Sequence, residues 1–445
     1  MKTPINNYIN KYLKNRPLRL HMPGHKGIAP DEMLKFTYAY DITEISGADS
    51  LFEANGIIAE SEAIASNLFN TGTTVYSCGG STLCIQAMLY LMKQEKRTII
   101  AARNVHQSFL NACILLDLPI KWVFPVESSG ILSGIYLPSQ FEEILKNTKS
   151  PACVYITSPD YLGRMADISE IADVCKKYNA RLIVDNAHGS HLAFLSESLH
   201  PIALGADFCC DSAHKTLPCL TGCAYLHARE SGIEQKLKEA MRIFSSTSPS
   251  YLMLDSLDLC NIYLNEKCKD DCKRLQEEIE DLKKSLSEKY CFISGDMLHL
   301  TIDAKNLDMS GVELAGEIEK RNAYLEYFDS EYVVILLSTI NSKNDLNDIK
   351  NLLLNIDVYK KSTDISYNNN DLAFPHPERA CSIREAAMSS NKIIPVEESY
   401  GKVCASVKVP CPPAIPIVIS GEVIDNDCIA LLKHYNIKQI SICRS

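Results

Sequence analysis

Lys215 sits in the run Asp211-Ser212-Ala213-His214-Lys215-Thr216-Leu217-Pro218-Cys219, just after a mostly apolar stretch, Ala206 to Cys210, that reads as a short buried strand. Low-dielectric surroundings lower an ammonium's pKa, and only the neutral amine attacks a carbonyl carbon. The position therefore suits a Schiff-base lysine. Ser212 and His214 lie close enough before it to offer a hydroxyl and an imidazole to a phosphate on the same aldehyde. Upstream, Leu182-Ile183-Val184-Asp185-Asn186-Ala187-His188-Gly189 is an apolar strand closing on a carboxylate. Such a strand holds a charged Asp185 only against a cationic partner, and a protonated pyridine nitrogen is one. Ala187 is small enough to let a ring lie flat against the backbone.

Two further segments extend the set. Cys78-Gly79-Gly80-Ser81-Thr82 leads into the apolar-periodic stretch Leu83 to Met92, so Gly80, Ser81 and Thr82 form a candidate phosphate cup at a helix N-terminus. No Gly-Lys-Ser/Thr follows, which separates it from a P-loop. His106, in Arg103-Asn104-Val105-His106-Gln107-Ser108, falls at a helix start, where its ring can stack on a pyridine face. Taken singly, each piece has an ordinary reading: a surface lysine at a strand end, an aspartate capping the next helix, a loop with a serine cap, a capping histidine. Phosphate cup, stacking ring, nitrogen partner and lysine follow one another in the order of a pyridoxal phosphate (PLP) enzyme with the aspartate aminotransferase fold.

The elements that must position these groups alternate. Strands are expected at Thr98–Ala102, Lys121–Pro125, Ala152–Thr157, Leu182–Asp185 and Phe208–Ser212, with helices near Leu83–Lys93, His106–Leu116, Ser139–Asn147 and Ser169–Lys177. Alternation of this kind implies an α/β, largely parallel sheet with helices on both faces and ligands at the carboxyl ends of its strands, where His106, Asp185 and Lys215 fall. One long amphipathic helix is expected from Tyr251 to about Lys289, with a solvated charged face. Strand-like Met297–Ile302 and Tyr332–Leu337 flank a helix at Gly311–Arg321, suggesting a small α+β domain. The polar stretch Lys360 to Asp371 reads as a linker. The division expected is 1–250 for an N-terminal arm and large domain, 251–360 for the small domain, and 361–445 for the linker and a C-terminal domain.

Composition narrows the class. The net charge of −10 and the absence of a basic stripe argue against nucleic acid. No apolar run approaches the roughly twenty residues of a membrane span, and no signal-peptide core opens the chain, so a cytoplasmic location is expected. The 18 cysteines then read as reduced thiols. Cys268 and Cys272 lack a paired C-x-x-C, and no metal is expected.

The chain resembles the Orn/Lys/Arg decarboxylase family over nearly all its length. Leu18-Arg19-Leu20-His21-Met22-Pro23-Gly24-His25-Lys26-Gly27 looks like the family's opening signature, and Asp41-Ile42-Thr43-Glu44 leading to Gly47-Ala48-Asp49-Ser50-Leu51 like the segment after it. Arg384-Glu385-Ala386, Val396 to Lys402, and Pro410 to Pro416 before Gly421-Glu422-Val423-Ile424 are similar to its C-terminal domain. The resemblance implies PLP-dependent fold type I with a seven-stranded-type sheet, and decarboxylation of a basic amino acid, arginine ahead of lysine and ornithine. It implies Lys215 as the Schiff-base residue, Asp185 on the pyridine nitrogen, His106 as the stacking ring, and Ser81, Thr82, Ser212 and His214 on the phosphate. His188, His214 or Lys215 itself is the candidate proton donor to Cα. The opening signature begins almost at once, as in the short, wingless form. Asn186 stands where many relatives carry an acidic residue, a departure that bears on the substrate more than on the cofactor. The segment Arg19 to Lys26 has neither helical nor strand period and suits an arm reaching across a homodimer with shared active sites. Glu397 and Glu398 are candidates for holding a substrate cation, or else cap a surface helix. An aminotransferase or β-eliminating lyase, and a non-catalytic PLP-binding paralogue, remain the alternatives.

Overall fold

The computed structural model describes residues 1–361, 374–406 and 415–444. Most of the expected linker and the start of the proline-rich segment after Pro410 lie outside the described residues. Strand labels below follow chain order.

The chain divides into two compact units, the first comprising Met1–Leu91, Leu182–Asp281 and Leu337–Leu346. Its strands are β1 (Thr73–Ser77), β7 (Arg181–Asp185), β8 (Phe208–Asp211) and β9 (Ala224–Ala228). They lie in the order β1-β9-β8-β7. β7 and β8 run parallel, with Asp185 opposite Cys210, while β9 is antiparallel to both its neighbours. Leu182, Ile183, Val184, Phe208, Cys209 and Cys210 are all buried, as continuous apolar runs covered on both faces must be. The N-terminal helix Pro4–Lys14 is docked on the helix Tyr251–Glu266: Asp258 Oδ2 accepts from the Asn6 N–H at 3.0 Å and Asp255 Oδ1 from the Asn6 amide at 2.9 Å.

The second unit comprises Met92–Arg181, Leu282–Leu336 and Asn347–Ser445. Here β2 (Thr98–Ala102), β3 (Ile120–Val123) and β6 (Ala152–Thr157) are parallel in the order β6-β2-β3, and β4 (Glu127–Ser129) with β5 (Ser133–Ile135) forms a hairpin. The antiparallel sheet β10-β12-β11, from His299–Asp303, Tyr332–Leu336 and Tyr327–Phe328, is accompanied by the helix Gly311–Glu319. That helix starts on a capping box in which Ser310 and Glu313 satisfy each other's backbone amides. A last pair, β13 (Asn391–Pro395) and β14 (Gln439–Cys443), is antiparallel.

The structure corrects one expected element. The helix foreseen from Tyr251 to about Lys289 is two, Tyr251–Glu266 and Cys268–Leu286, parted at Lys267 with φ −135°. The buried positions 254, 257, 261, 264, 268, 272, 275 and 279 keep their three-and-four spacing straight through the break. Hydrophobic period cannot register an interruption that preserves its phase.

Candidate active site

In the first unit the end of β8 feeds a single helical turn, Ala213–Thr216, which carries half-buried His214 and Lys215. Lys215 therefore stands on a turn of helix beyond the strand, not at the strand end. Its Nζ lies 2.9 Å from Nε2 of buried His188. His188 comes from the loop after β7, so the two parallel strands deliver the amine and the imidazole to one place. His214 has a different partner: its Nδ1–H donates to the Cys223 carbonyl at 2.9 Å. Burial pushes the His214 pKa below its ordinary value, with the cation of Lys215 adding to the effect and the Cys223 bond opposing it.

Asp185 closes β7 and is buried, with Oδ1 3.3 Å from the Ala187 amide and 3.6 Å from the Cys210 thiol. It caps no regular α-helix: the next element is a short 3-10 turn, Ser190–Phe194. Ala187 is buried beside it.

The segment read as a phosphate cup opens the helix Gly80–Gln94. Gly80 has φ +64°, a left-handed conformation that a side chain would strain, and open space where a Cβ would stand. Its own N–H is engaged by the Gly222 carbonyl at 2.9 Å. Ser212 donates its hydroxyl to Ser81 Oγ at 2.9 Å, and Thr82 lines a cavity of about 310 Å³ together with Cys78, Gln86, Phe244 and Ser250. Lys215, His188, Asp185, Ala187, Gly80, Ser81, Thr82, Ser212 and His214 thus belong to the first unit. His106 belongs to the second, where it N-caps the helix Gln107–Leu116 and its Nδ1 accepts the Ser108 N–H at 3.1 Å.

Sequence reading missed two buried groupings. In the first unit Asp211 is surrounded: the Asn186 amide donates to Oδ1 at 2.7 Å, and Nε2 of His200 and of His227 lie 3.3 and 3.4 Å from Oδ2. These imidazoles hold the Asp211 carboxyl below the usual carboxylate range against the opposing effect of burial. In the second unit Arg103, fully buried at the end of β2, pairs with Glu422. Glu397 and Glu398 are exposed on a 3-10 turn, and Glu397 lies 3.5 Å from Lys433.

A lysine on the turn of helix after β8, paired with a histidine, shares its unit with a buried strand-end aspartate and a glycine-serine helix start. Comparison with known proteins gives the family. The family described as Orn/Lys/Arg decarboxylase, major domain, matches residues 3–310, and its C-terminal domain matches 367–439. The chain belongs to the Orn/Lys/Arg decarboxylase family. It is similar to the arginine decarboxylase of Bacillus subtilis (strain 168), 26% identical over 457 residues that cover 97% of this chain and 93% of that protein. The crystal structure of the lysine decarboxylase LdcF from Francisella novicida matches with a TM-score of 0.83 at 16% identity, covering 99% of this chain and 81% of that one. A structure of SPT with PLP matches at 0.56 and 11% identity, covering 69% and 79%. The structural likenesses establish the fold: a mixed sheet with helices on both sides.

Proposed function

We propose that the protein is a PLP-dependent decarboxylase that converts a basic amino acid, arginine in the first place, to its amine and CO2. The observation that carries the reading is the 2.9 Å contact between Lys215 Nζ and His188 Nε2, in the same unit as buried Asp185 and the Ser81–Ser212 hydroxyl pair. An amine, a buried carboxylate and a hydroxyl-bearing helix N-terminus with open space at Gly80 are the three chemistries an aldehyde–pyridine–phosphate cofactor requires, so the residues fit PLP. The near full-length likeness to an arginine decarboxylase supports the order of substrates.

In this reading Lys215 would hold the cofactor by its aldehyde and Asp185 would pair with its pyridine nitrogen. Ser81, Thr82, Ser212 and His214 would hold the phosphate with the Gly80 turn, Ala187 would leave room for the ring, and His106 would be the stacking residue. PLP, when bound, supplies an electron sink for the pair left behind by the departing carboxylate. The 2.9 Å contact between Lys215 and His188 supports these two as the pair that would return a proton to Cα. His214 donates its Nδ1–H to the Cys223 carbonyl, so Nε2 of the neutral ring is an acceptor, and the ring would meet a phosphate as a donor only when protonated.

The protein is further proposed to be a cytoplasmic homodimer, organised as a large domain to residue 250, a small domain to 360 and a C-terminal domain beyond. Among the described residues no helix is long and apolar enough to cross a membrane. The exposed apolar side chains of Leu18, Leu20, Met22 and Ile28, from 60% to 84% accessible, suit an arm that packs on a second copy.

The test is a side-by-side assay of purified protein with arginine, lysine and ornithine, measuring CO2 and the amine. Faster turnover of arginine is expected. Equal or better turnover of lysine or ornithine overturns the choice of substrate, and a keto acid in place of CO2 overturns the reaction. Lys215→Ala is expected to lose the visible absorbance of bound cofactor; an unchanged band removes Lys215 from its role.

A further inference from the structure

The two parallel strands end one residue apart in register, β7 at Asp185 opposite Cys210 and β8 at Asp211. Asp185 closes β7 and Ser212 follows β8; Asn186 and Asp211 are their neighbours in sequence. Side chains alternate along a strand, so Asn186 and Asp211 share the face opposite Asp185 and Cys210. The β7–β8 ladder extends past Asp185 through the Asn186 N–H to the Cys210 carbonyl at 3.0 Å, and the Asn186–Asp211 side-chain bond of 2.7 Å is its last rung. Beyond that rung the chains part, one into the His188 loop and the other into the turn that carries Lys215.

The rung is built from every side. Asn186, Asp211, His200 and His227 are fully buried. His227 Nδ1 is fixed by the Thr74 hydroxyl at 2.8 Å, and Phe69 lies against both imidazoles, with ring centroids 5.8 and 4.7 Å away. Gly189 leaves room for the Asn186 carboxamide: a Cβ there would stand 2.0 Å from Asn186 Oδ1. Cys209 places its thiol 3.6 Å from His200 Nε2.

Resting on the PLP reading, we propose that Asn186 and Asp211 are positioning residues for the cofactor site. Their hydrogen bond, backed by His200 and His227, sets the height of the β7 end against the β8 end, and so of Asp185 against Ser212 and Lys215. The residue type at 186 follows from its partner. An amide donates to a carboxylate without a proton having to be found, whereas an acid at 186 would set two buried carboxylates against each other.

The test compares wild type, Asp211→Asn, Asn186→Asp and the exchanged pair Asn186→Asp with Asp211→Asn. PLP affinity is read from cofactor absorbance, fold from far-UV circular dichroism of the apo forms, and metal content from elemental analysis. Asp211→Asn, isosteric and uncharged, is the variant expected to keep its fold. It and Asn186→Asp are expected to weaken PLP binding by roughly tenfold or more, as outer supports of a ligand site do. The exchanged pair, which restores one donor and one acceptor, is expected to recover most of that loss. Wild-type affinity in Asp211→Asn, or an exchanged pair no better than Asn186→Asp, overturns the positioning role alone. A wild-type chain that takes up no PLP overturns the cofactor reading beneath it. Stoichiometric zinc in the purified protein overturns the proposal differently, because the ligand atoms of His200, Cys209 and Asp211, all within 4.8 Å of one another, would then be a metal site.

Discussion

Arg103 and Glu422 meet through two parallel hydrogen bonds of 2.6 and 2.7 Å, with both side chains buried. The guanidinium also donates from Nε to the Pro416 carbonyl and lies over the rings of Trp122 and Phe124 at 4.8 and 5.3 Å. Glu422 accepts the Ile419 N–H at 2.9 Å. Gly421, at φ +89°, makes the turn before it, and a Cβ there would stand 2.6 Å from the Cys381 carbonyl. Nearby, Arg384 donates to the Leu115 carbonyl at 2.7 Å, at the C-terminal end of the helix that His106 begins. The C-terminal segment thus grips the strand and the helix on either side of His106.

Removing one member of a buried pair strands the other charge, at a cost of about 3–5 kcal/mol, whereas replacing both with apolar groups is often neutral. Glu422→Ala is expected to lose stability in that range, and Arg103→Met combined with Glu422→Leu much less. Urea unfolding measures both. A loss under about 1 kcal/mol for Glu422→Ala would mean the pair is solvated.

Asp185→Asn keeps the shape of the side chain and removes its charge. The fold and cofactor binding are expected to survive while decarboxylation slows by several orders of magnitude, each tenfold corresponding to roughly 1.4 kcal/mol in barrier. Single-turnover rates decide the matter, and near-normal turnover would contradict the role of Asp185.

His214 predicts a pH dependence of stability. Its folded pKa lies below the ordinary 6.5, chiefly through burial, so the unfolded chain binds more protons in the window just below 6.5. Stability contributed by His214 therefore rises with pH across that window and is complete above it. His214→Gln should flatten this part of the curve in urea midpoints measured from about pH 5 to 7.5. An unaltered slope would show that His214 titrates alike in both states.

The exposed arm leads to a prediction about assembly. Leu18→Glu with Leu20→Glu places charges on side chains that are 83% and 84% accessible in the single chain. Wild type is expected to sediment as a dimer and the double variant to dissociate at higher concentration. A functional wild-type monomer at working concentration would remove the dimer.

Much of the fold was legible because its signals are local. Apolar runs at Thr98–Ala102 and Ala152–Thr157 are found as strands with the expected bounds. β9 was not foreseen, since Ala224-Tyr225-Leu226-His227-Ala228 carries a histidine whose burial depends on Asp211 and Thr74. The approach of Lys215 to His188 was legible only as two residues after two strands; parallel pairing of β7 with β8 turned it into a contact. Arg103 carried the same kind of signal as Asp185, a charged residue at the end of an apolar strand. Its partner lies more than three hundred residues away, and no local pattern encodes that distance. Asn186 read as a departure bearing on the substrate, and its buried partner Asp211, 25 residues on, was not legible from it.

Trp122, against which the Arg103 guanidinium rests, is the chain's single tryptophan. It also borders a small cavity with Ile383, Ile419 and Glu422 of the C-terminal segment. Its fluorescence is therefore an optical gauge, supplied by the native chain, of whether that segment is seated. Excited at the indole, the protein should report unseating as a red shift and a change in intensity before circular dichroism registers any loss of helix. The attachment beside His106 can thus be followed in real time without a label.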